Sequence, residues 1–550
     1  MDTIPCRPEF EQLAPATPLE IGFSSEIATA WWAGQRLSIG RVIAAYQQGY
    51  DTVLLNAPPG SGKTLVAASV GRVLDIQSIT CTHTLALQEQ YLRTAPFAVT
   101  MKGKNNYPCG IPDQEGAAKV RTTLKRELTA DDCDEYLECG NPWKRGCPYF
   151  AAIGAASDSN SAILNYSYAI RIASSKYLKR GVCEGEEDEA QPNPFLRELA
   201  VLDEGHLAND AIVDACSIEL WHSTMRKLGF KWLALADSAA WKLWAKQQLG
   251  ALNSNELYEI PSGDIILAAR ARQLRSRLAE LAAIEPQDWI VRHFDNHITI
   301  QPIWARAVKG RFIDKYNKLL IMSATLGDPE LLSSKLGLGE RRVAYVDVPS
   351  TFPLVNRPTF YWPVAKLSSK SEEGDYAAIA SAIKFIANQT NLKERKGIVH
   401  TGSYKLVRRL APYLRDDPRF LLHESAVTRE ALVTLFTREQ YPYVIVTPSL
   451  STGFDLVYEI GFQVIAKVPF ADLGDSLVRA RREYELPEDA KFGKRSYSDD
   501  ALNQVIQAVG RAVRAPDDSG VSYILDQNFW PLYKNGYSAE SFKETLRWIN

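Results

Sequence analysis

Six short apolar runs recur along the chain: TVLLN at 52–56, SITCT at 78–82, LAVLD at 199–203, LLIMS at 319–323, GIVHT at 397–401 and YVIVT at 443–447. Each is apolar and rich in branched or aliphatic residues, and longer stretches of helical periodicity separate several of them, LVAASVGRVL at 65–74 being the clearest. Continuous apolar runs of strand length, alternating with amphipathic helices, predict α/β architecture with parallel sheets covered on both faces. At least two such sheets are expected. Two stretches break the alternation. Residues 102–160 gather cysteines with basic and aromatic side chains, and 216–307 is rich in Trp and Arg and reads as mostly helical (WKLWAKQQL, ILAARARQLRSRLAELAAI). Both lie between strand-like runs of the first half and so read as insertions into its sheet. EGEEDEAQPNP at 184–194 reads as an exposed acidic loop.

A length of 550 residues implies two or more domains. With 46 % hydrophobic and 23 % charged residues the chain is an ordinary globular one rather than a disordered one. Its net charge of -2 excludes a uniformly basic nucleic-acid binder, so any polyanion site must be a local groove. The start, MDTIPCRPEFEQL, has no basic and apolar leader, and no apolar run reaches the ~18 residues that span a bilayer. A soluble, cytoplasmic chain without membrane contact is expected, and its eight cysteines are not expected to be disulfide staples.

Candidate chemistry begins after the first run. Ala57, Pro58, Pro59, Gly60, Ser61, Gly62, Lys63 and Thr64 lie between a strand and a helix, the context of a phosphate-binding loop. Glycines let backbone N–H groups turn toward phosphates at the positive end of the helix. Lys63 would reach the outer phosphates, and the Thr64 hydroxyl would ligate Mg2+. The run LAVLD ends in Asp203 and is followed by Glu204. At a strand end an aspartate can hold magnesium and a neighbouring glutamate can deprotonate an attacking water; the same pair could also be a helix cap. Cys109, Cys133, Cys139 and Cys147 form the cysteine cluster. Their irregular spacing lacks the paired knuckles typical of structural zinc; it suits a [4Fe-4S] cube or zinc about equally, with free buried thiols as the third reading.

The order of motifs carries a resemblance. Asp203-Glu204-Gly205-His206 resembles the DEAH box of superfamily 2 helicases, Met322-Ser323-Ala324-Thr325 their third motif, TPSLSTGFDL at 447–456 their fifth, and Gln507 to Arg514 (QAVGRAVR) their sixth. Thr82-His83-Thr84-Leu85 sits where their first DNA-contacting motif is found. With Lys102 to Cys109 (KGKNNYPC) and the later cysteines, the chain resembles XPD/DinG-like iron–sulfur DNA helicases from about Gln35 to Arg514. It departs from them at Thr452, where a glutamate is usual, and at Gly205, where the DEAH box has alanine.

That resemblance implies two RecA-like motor domains, with an iron–sulfur domain and a helical arch inserted in the first. The expected boundaries are 1–101, 161–215 and 308–343 for the first motor domain, 102–160 for the cluster domain, 216–307 for the arch and 344–550 for the second motor domain. It implies ATP, Mg2+ and a [4Fe-4S] cluster on Cys109, Cys133, Cys139 and Cys147. Lys63, Asp203, Glu204, Gln507, Arg511 and Arg514 would be catalytic, with Gln35, Gly453 and Asp455 completing the nucleotide site. The expected activity is a monomeric ATP-dependent helicase moving 5′ to 3′ on single-stranded and forked DNA. A translocase or RNA-directed ATPase without strand separation, or a nucleotide-gated clamp, are the alternatives. Basic and aromatic residues of both insertions, among them Lys102, Lys104, Arg270, Arg277, Trp241 and Trp244, are candidates for lining the strand's path.

Overall fold

The computed structural model describes residues 1–108, 128–130, 147–174, 193–253, 265–426, 429–438, 440–448, 460–513 and 518–549. The first half contributes β1 (Asp2–Thr3), β2 (Thr52–Asn56), β3 (Ser78–Thr82), β4 (Val99–Met101), β5 (Ser161–Asn165) and β6 (Leu199–Asp203). After them come β7 (Ile218–Trp221), β8 (Trp289–His293), β9 (His297–Pro302), β10 (Lys318–Ser323) and β11 (Val343–Asp347). Eight of these form a sheet of order β1-β11-β2-β10-β6-β3-β5-β4 whose pairings are all parallel. In β2, Leu54 packs into the core on one face while Val53 and Leu55 pack into the core on the other, so the run is apolar throughout.

The second half contributes β12 (Thr359–Ala365), β13 (Gly397–His400), β14 (Phe420–Leu422), β15 (Val444–Thr447), β16 (Phe462–Ile465), β17 (Val521–Asp526) and β18 (Leu546–Trp548). They form a second, seven-stranded sheet, β14-β15-β13-β16-β17-β12-β18, also parallel. All six runs read as strands are strands of these two sheets. The junction lies later than 343/344, because β11 pairs with β1 and β2 of the first sheet and the second sheet begins only at β12.

Between β4 and β5, and again between β6 and β10, the chain leaves the first sheet and returns to it. The second excursion is not wholly helical, as its composition suggested. Helices Ser238–Asn253 and Ile265–Ala282 sit beside a three-stranded antiparallel sheet of order β7-β9-β8. Trp241 and Trp244 are buried there, edge to face at 5.1 Å between ring centres, and so are core residues rather than a lining for a strand. Among the described residues no helix is long and apolar enough to cross a membrane.

The two halves meet through a buried charged seam. Lys335, on the helix Pro329–Leu336 beyond β10, reaches Asp500 at 2.6 Å and Asp499 at 3.9 Å on the helix Phe492–Val509. Asp499 also accepts the Asp328 N–H at 3.0 Å. Burial pushes the Asp499 carboxyl up to about 7 against the pull of Lys335. At Lys335 burial works against the charge, but Asp500 and Asp499 outweigh it and its pKa rises. Between the usual carboxylate range and about 7, the folded chain keeps a proton at Asp499 that the unfolded chain has lost. This group's contribution to stability therefore falls as pH rises across that window. Asp499→Asn removes the titration, so the melting-temperature difference, variant minus parent, should shift in the variant's favour between about pH 5 and about pH 7.5. A difference that stays constant with pH would contradict the assignment.

Candidate nucleotide site

β2, β10 and β6 are neighbours, and their carboxyl ends carry the phosphate loop, the Ser-Ala-Thr segment and Asp203-Glu204 respectively. This is the edge at which a parallel sheet presents ligand-binding loops. Gly60 and Gly62 adopt left-handed φ of 74° and 71°, and Gly62 caps the helix Lys63–Leu74. A Cβ at Gly62 would stand 1.9 Å from Gln35 Nε2, so the close approach of that side chain requires glycine. Ala57 has no such demand: its φ is not positive, and its N–H donates to Ser323 O at 2.9 Å. The alanine in place of the motif's first glycine is therefore accommodated without strain. Pro58 and Pro59 continue the loop and, with Thr325, Phe352, Gly510 and Val513, bound a cleft between the two halves.

Lys63 Nζ donates to Ala57 O at 3.3 Å, and burial lowers its pKa against the opposing fields of Glu204 and Asp203. Thr64 follows on the first turn of the helix. Asp203 is buried at the end of β6, and burial, then the neighbouring Glu204, push its carboxyl up to about 6 although Lys63 pulls it down. A buried carboxylate beside a second one gains from a divalent cation, so Asp203 and the Thr64 hydroxyl fit magnesium.

Glu204 takes a left-handed backbone, φ 50°, shared among the described non-glycine residues only with Asp75. Such a conformation costs on the order of 1–3 kcal/mol and concentrates at functional sites. The next residue explains a departure from the DEAH pattern. A Cβ at Gly205 would fall 2.4 Å from Ile321 Cγ2 on β10, leaving no room for alanine in this packing.

From Glu204 a hydrogen-bond chain runs across the molecule. Ser323 Oγ donates to Glu204 Oε2 at 3.3 Å and lies 2.8 Å from His206 Nδ1, and His206 Nε2 lies 3.2 Å from Gln507 Nε2. Because the Gln507 amide nitrogen can only donate, His206 Nε2 accepts and the proton sits on Nδ1, which donates to Ser323. Burial lowers the His206 pKa, in keeping with a neutral ring. A second tie, Asn503 Nδ2 to Thr325 O at 2.9 Å, runs from the same helix to the same segment. At that helix's C-terminus a Cβ on Gly510 would be 3.2 Å from Pro59 Cγ, so the backbone just before the half-buried Arg511 lies against the phosphate loop.

The structure thus brings Gln35, the loop from Ala57 to Thr64, Asp203 and Glu204 together at the carboxyl edge of the first sheet, ties Gln507 to His206 there, and leaves Arg511 next in the chain to Gly510, which lies beside Pro59. Gln35 is fully engaged there: its Nε2 donates to Ser61 O at 3.2 Å and its Oε1 accepts the Trp32 N–H at 2.9 Å. Gly453, Asp455, Arg514, Cys109, Cys133 and Cys139 lie outside the described residues, while Cys147 is half-buried at the N-cap of the helix Pro148–Asp158. Among the described residues no group of three or more His, Cys, Asp or Glu could hold a metal ion. Two contributors carry roles that the sequence reading did not assign, His206 within the DEAH-like motif and Trp32 ahead of Gln35. His206 is the link between Glu204 and Gln507, and Trp32, 63 % exposed, lies beside the phosphate loop, 3.6 Å from where a Gly62 Cβ would be. An aromatic three residues before Gln35 was the available signal for the latter.

Residues 386–541 match the family model of the helicase C-terminal domain. No curated protein matches the chain. Among solved structures, one titled XPD helicase aligns with 94 % of this chain and 100 % of its own at TM-score 0.56 and 16 % identity. The Xpd4 structure of S. tokodaii aligns with 94 % and 99 % at 0.54 and 16 %, and one titled XPD apo with 93 % and 99 % at 0.52 and 14 %. In motif order, in its helicase C-terminal domain and in its two-sheet fold, the chain resembles the XPD/DinG-like superfamily 2 helicases.

Proposed function

We propose that this chain is an ATP-driven helicase that translocates on single-stranded DNA and separates forked duplex, moving 5′ to 3′. The observation that carries the reading is the hydrogen-bond chain from Glu204 through Ser323 and His206 to Gln507. It joins the residue placed to take a proton from the attacking water to a residue of the other half. A clamp that only gated on nucleotide could lack a general base or an arginine, whereas this chain carries Lys63, Glu204 and Arg511 together. In this reading Lys63 and Arg511 stabilise charge on the phosphoryl group, and Arg514 joins them. Asp203 and Thr64 hold magnesium, which would neutralise phosphate charge. Gln35, Gly453 and Asp455 complete the nucleotide site, and Trp32 offers a ring for a purine to stack on. When phosphate charge disappears after hydrolysis, the contacts that hold the halves together weaken, and the halves move relative to one another.

Residues 102–160 form the cluster domain of this proposal and 216–307 its arch, between parts of the first motor domain, with the second motor domain following. Cys109, Cys133, Cys139 and Cys147 would hold a [4Fe-4S] cluster, supported by thiolate chemistry and by the resemblance in motif order. The polarity, the DNA substrate, the monomeric state and a cytoplasmic location rest on the sequence reading. The experiment is steady-state ATP turnover with and without oligodeoxythymidylate, followed by strand displacement on DNA and RNA forks. Single-stranded DNA should raise turnover severalfold, and a 5′-tailed DNA fork should be opened. Turnover indifferent to DNA would reject the motor, and stimulated turnover without displacement would leave a translocase. Iron on anaerobically purified protein should approach about four per chain, whereas zinc in its place would reject the cluster.

A further inference from the structure

We propose that the pocket between β7 and the helix Ile265–Ala282 is a subsite for one nucleotide unit of a single nucleic-acid strand. Its phosphate would lie among Arg270, Gln273, Arg277 and Thr224, with a base against Trp221. The inference rests on the reading of the chain as a nucleic-acid motor and adds to it a defined contact point.

The helix supplies the anion-binding face by simple spacing. Residues 270, 273, 274 and 277 recur at helical intervals and share one side. Leu274 is buried against β7, and the polar three flank it around a pocket closed by Leu220, Trp221 and Thr224. Arg277 is held in place by donating to Glu219 O at 2.8 Å. Arg270, Gln273 and the Thr224 hydroxyl, by contrast, carry no side-chain hydrogen bond or ion pair among the described residues. A guanidinium, an amide and a hydroxyl that converge with their hydrogen bonds unmade suit a phosphodiester, which offers several acceptors at once. Of the nearby acids, Glu280 pairs with Arg311 at 3.2 Å, while Glu219, which accepts from Trp221 Nε1 at 3.2 Å, keeps its charge and is outnumbered by Arg270, Arg272, Arg275 and Arg277 on the helix. The helix therefore presents a local positive field although the chain as a whole carries -2.

A stacking platform begins at the pocket wall. Trp221 pairs across the strands with His297. The two rings stack at 4.5 Å and 19°, and Phe294 also stacks on His297, at 4.5 Å and 5°. Phe294 is exposed at the β8–β9 turn. Stacked rings beside a basic pocket, with the Arg292 guanidinium over the exposed Phe294 ring at 5.4 Å, join the two elements that bind single strands: charge for the backbone and aromatic surface for the bases.

The test is fluorescence anisotropy of labelled oligodeoxythymidylate over a salt series, on full-length protein. Arg270→Ala should weaken binding by roughly fivefold and reduce the salt slope by about one. Arg270→Lys should retain the slope, and DNA-free ATP turnover should be unchanged in both variants. Oligonucleotide carrying 4-thiothymidine should crosslink to peptides containing Trp221 or Phe294. If the parent protein binds the oligonucleotide but Arg270→Ala changes neither affinity nor slope, the subsite is wrong and the motor reading survives. If the parent protein itself does not bind, the motor reading fails and the subsite falls with it.

Discussion

Replacing Glu204 with Gln should lower ATP turnover by roughly 10²–10⁴-fold, the range expected for losing a general base, while nucleotide binding persists. The substitution is nearly isosteric and keeps an acceptor for the Ser323 hydroxyl, so the chain to His206 and Gln507 has no reason to break. What disappears is the ability to accept a proton. The competing effect works in favour of binding: Glu204 helps hold the Asp203 carboxyl up at about 6, and removing that negative charge lets Asp203 ionise more readily toward a cation. Turnover and nucleotide affinity should therefore separate cleanly. Steady-state phosphate release beside equilibrium binding of a fluorescent nucleotide measures both. Turnover within tenfold of the parent protein would remove Glu204 from the reaction, and a matching collapse of binding would assign it to holding the nucleotide instead.

Why the sequence made this site visible, and not the rest, follows from where its parts lie. The strands of a doubly covered parallel sheet are buried on both faces, so β2, β6 and β10 write themselves as largely apolar runs, and β3, though it carries Ser78, Thr80 and Thr82, as a buried β-branched one. The phosphate loop and the Asp203-Glu204 pair are local, each packed into a few residues at a strand end. The small sheet of β7, β8 and β9 was hidden because its strands are short and its edge strand β7 is covered on one side only. Ile218 and Leu220 are buried and alternate with partly exposed Glu219 and Trp221, a period-two pattern only four residues long inside a segment dominated by helices. Trp241 and Trp244, three apart on one helix, carried the spacing of a core face, which weighed more than their aromatic character. The place of β11 in the first sheet depends on pairing with β2, some three hundred residues upstream along the chain, which no local pattern records. The same holds for the contact of His206 with Gln507, separated by 301 positions, and for the tie between Gln35 and Ser61. Motifs name the participants, and only the packing of the two halves shows which of them touch.

That packing makes Arg511→Ala the most severe test of the motor. Arg511 follows the helix that carries Asn503 and Gln507, and both of those residues hold the helix to the first half, through Thr325 O and His206. The helix's C-terminus lies against Pro59, so the arginine at position 511 is set by a brace independent of its own side chain. Truncation to alanine should then leave the halves apposed and nucleotide bound, while turnover falls by roughly 10³-fold or more, the scale on which a transition-state arginine acts. Arg511→Lys should recover only part of the loss, because a point charge lacks the planar fork that meets two phosphate oxygens together. Combining Arg511→Ala with Glu204→Gln separates a shared role from two independent ones. If both groups serve one hydrolytic step, the double variant should turn over about as slowly as the slower single variant, because residues acting as a unit are strongly non-additive. Losses that multiply would instead mean that Arg511 acts outside the step in which Glu204 takes the proton, and the hydrogen-bond chain between the halves would then have to be read as structural support alone.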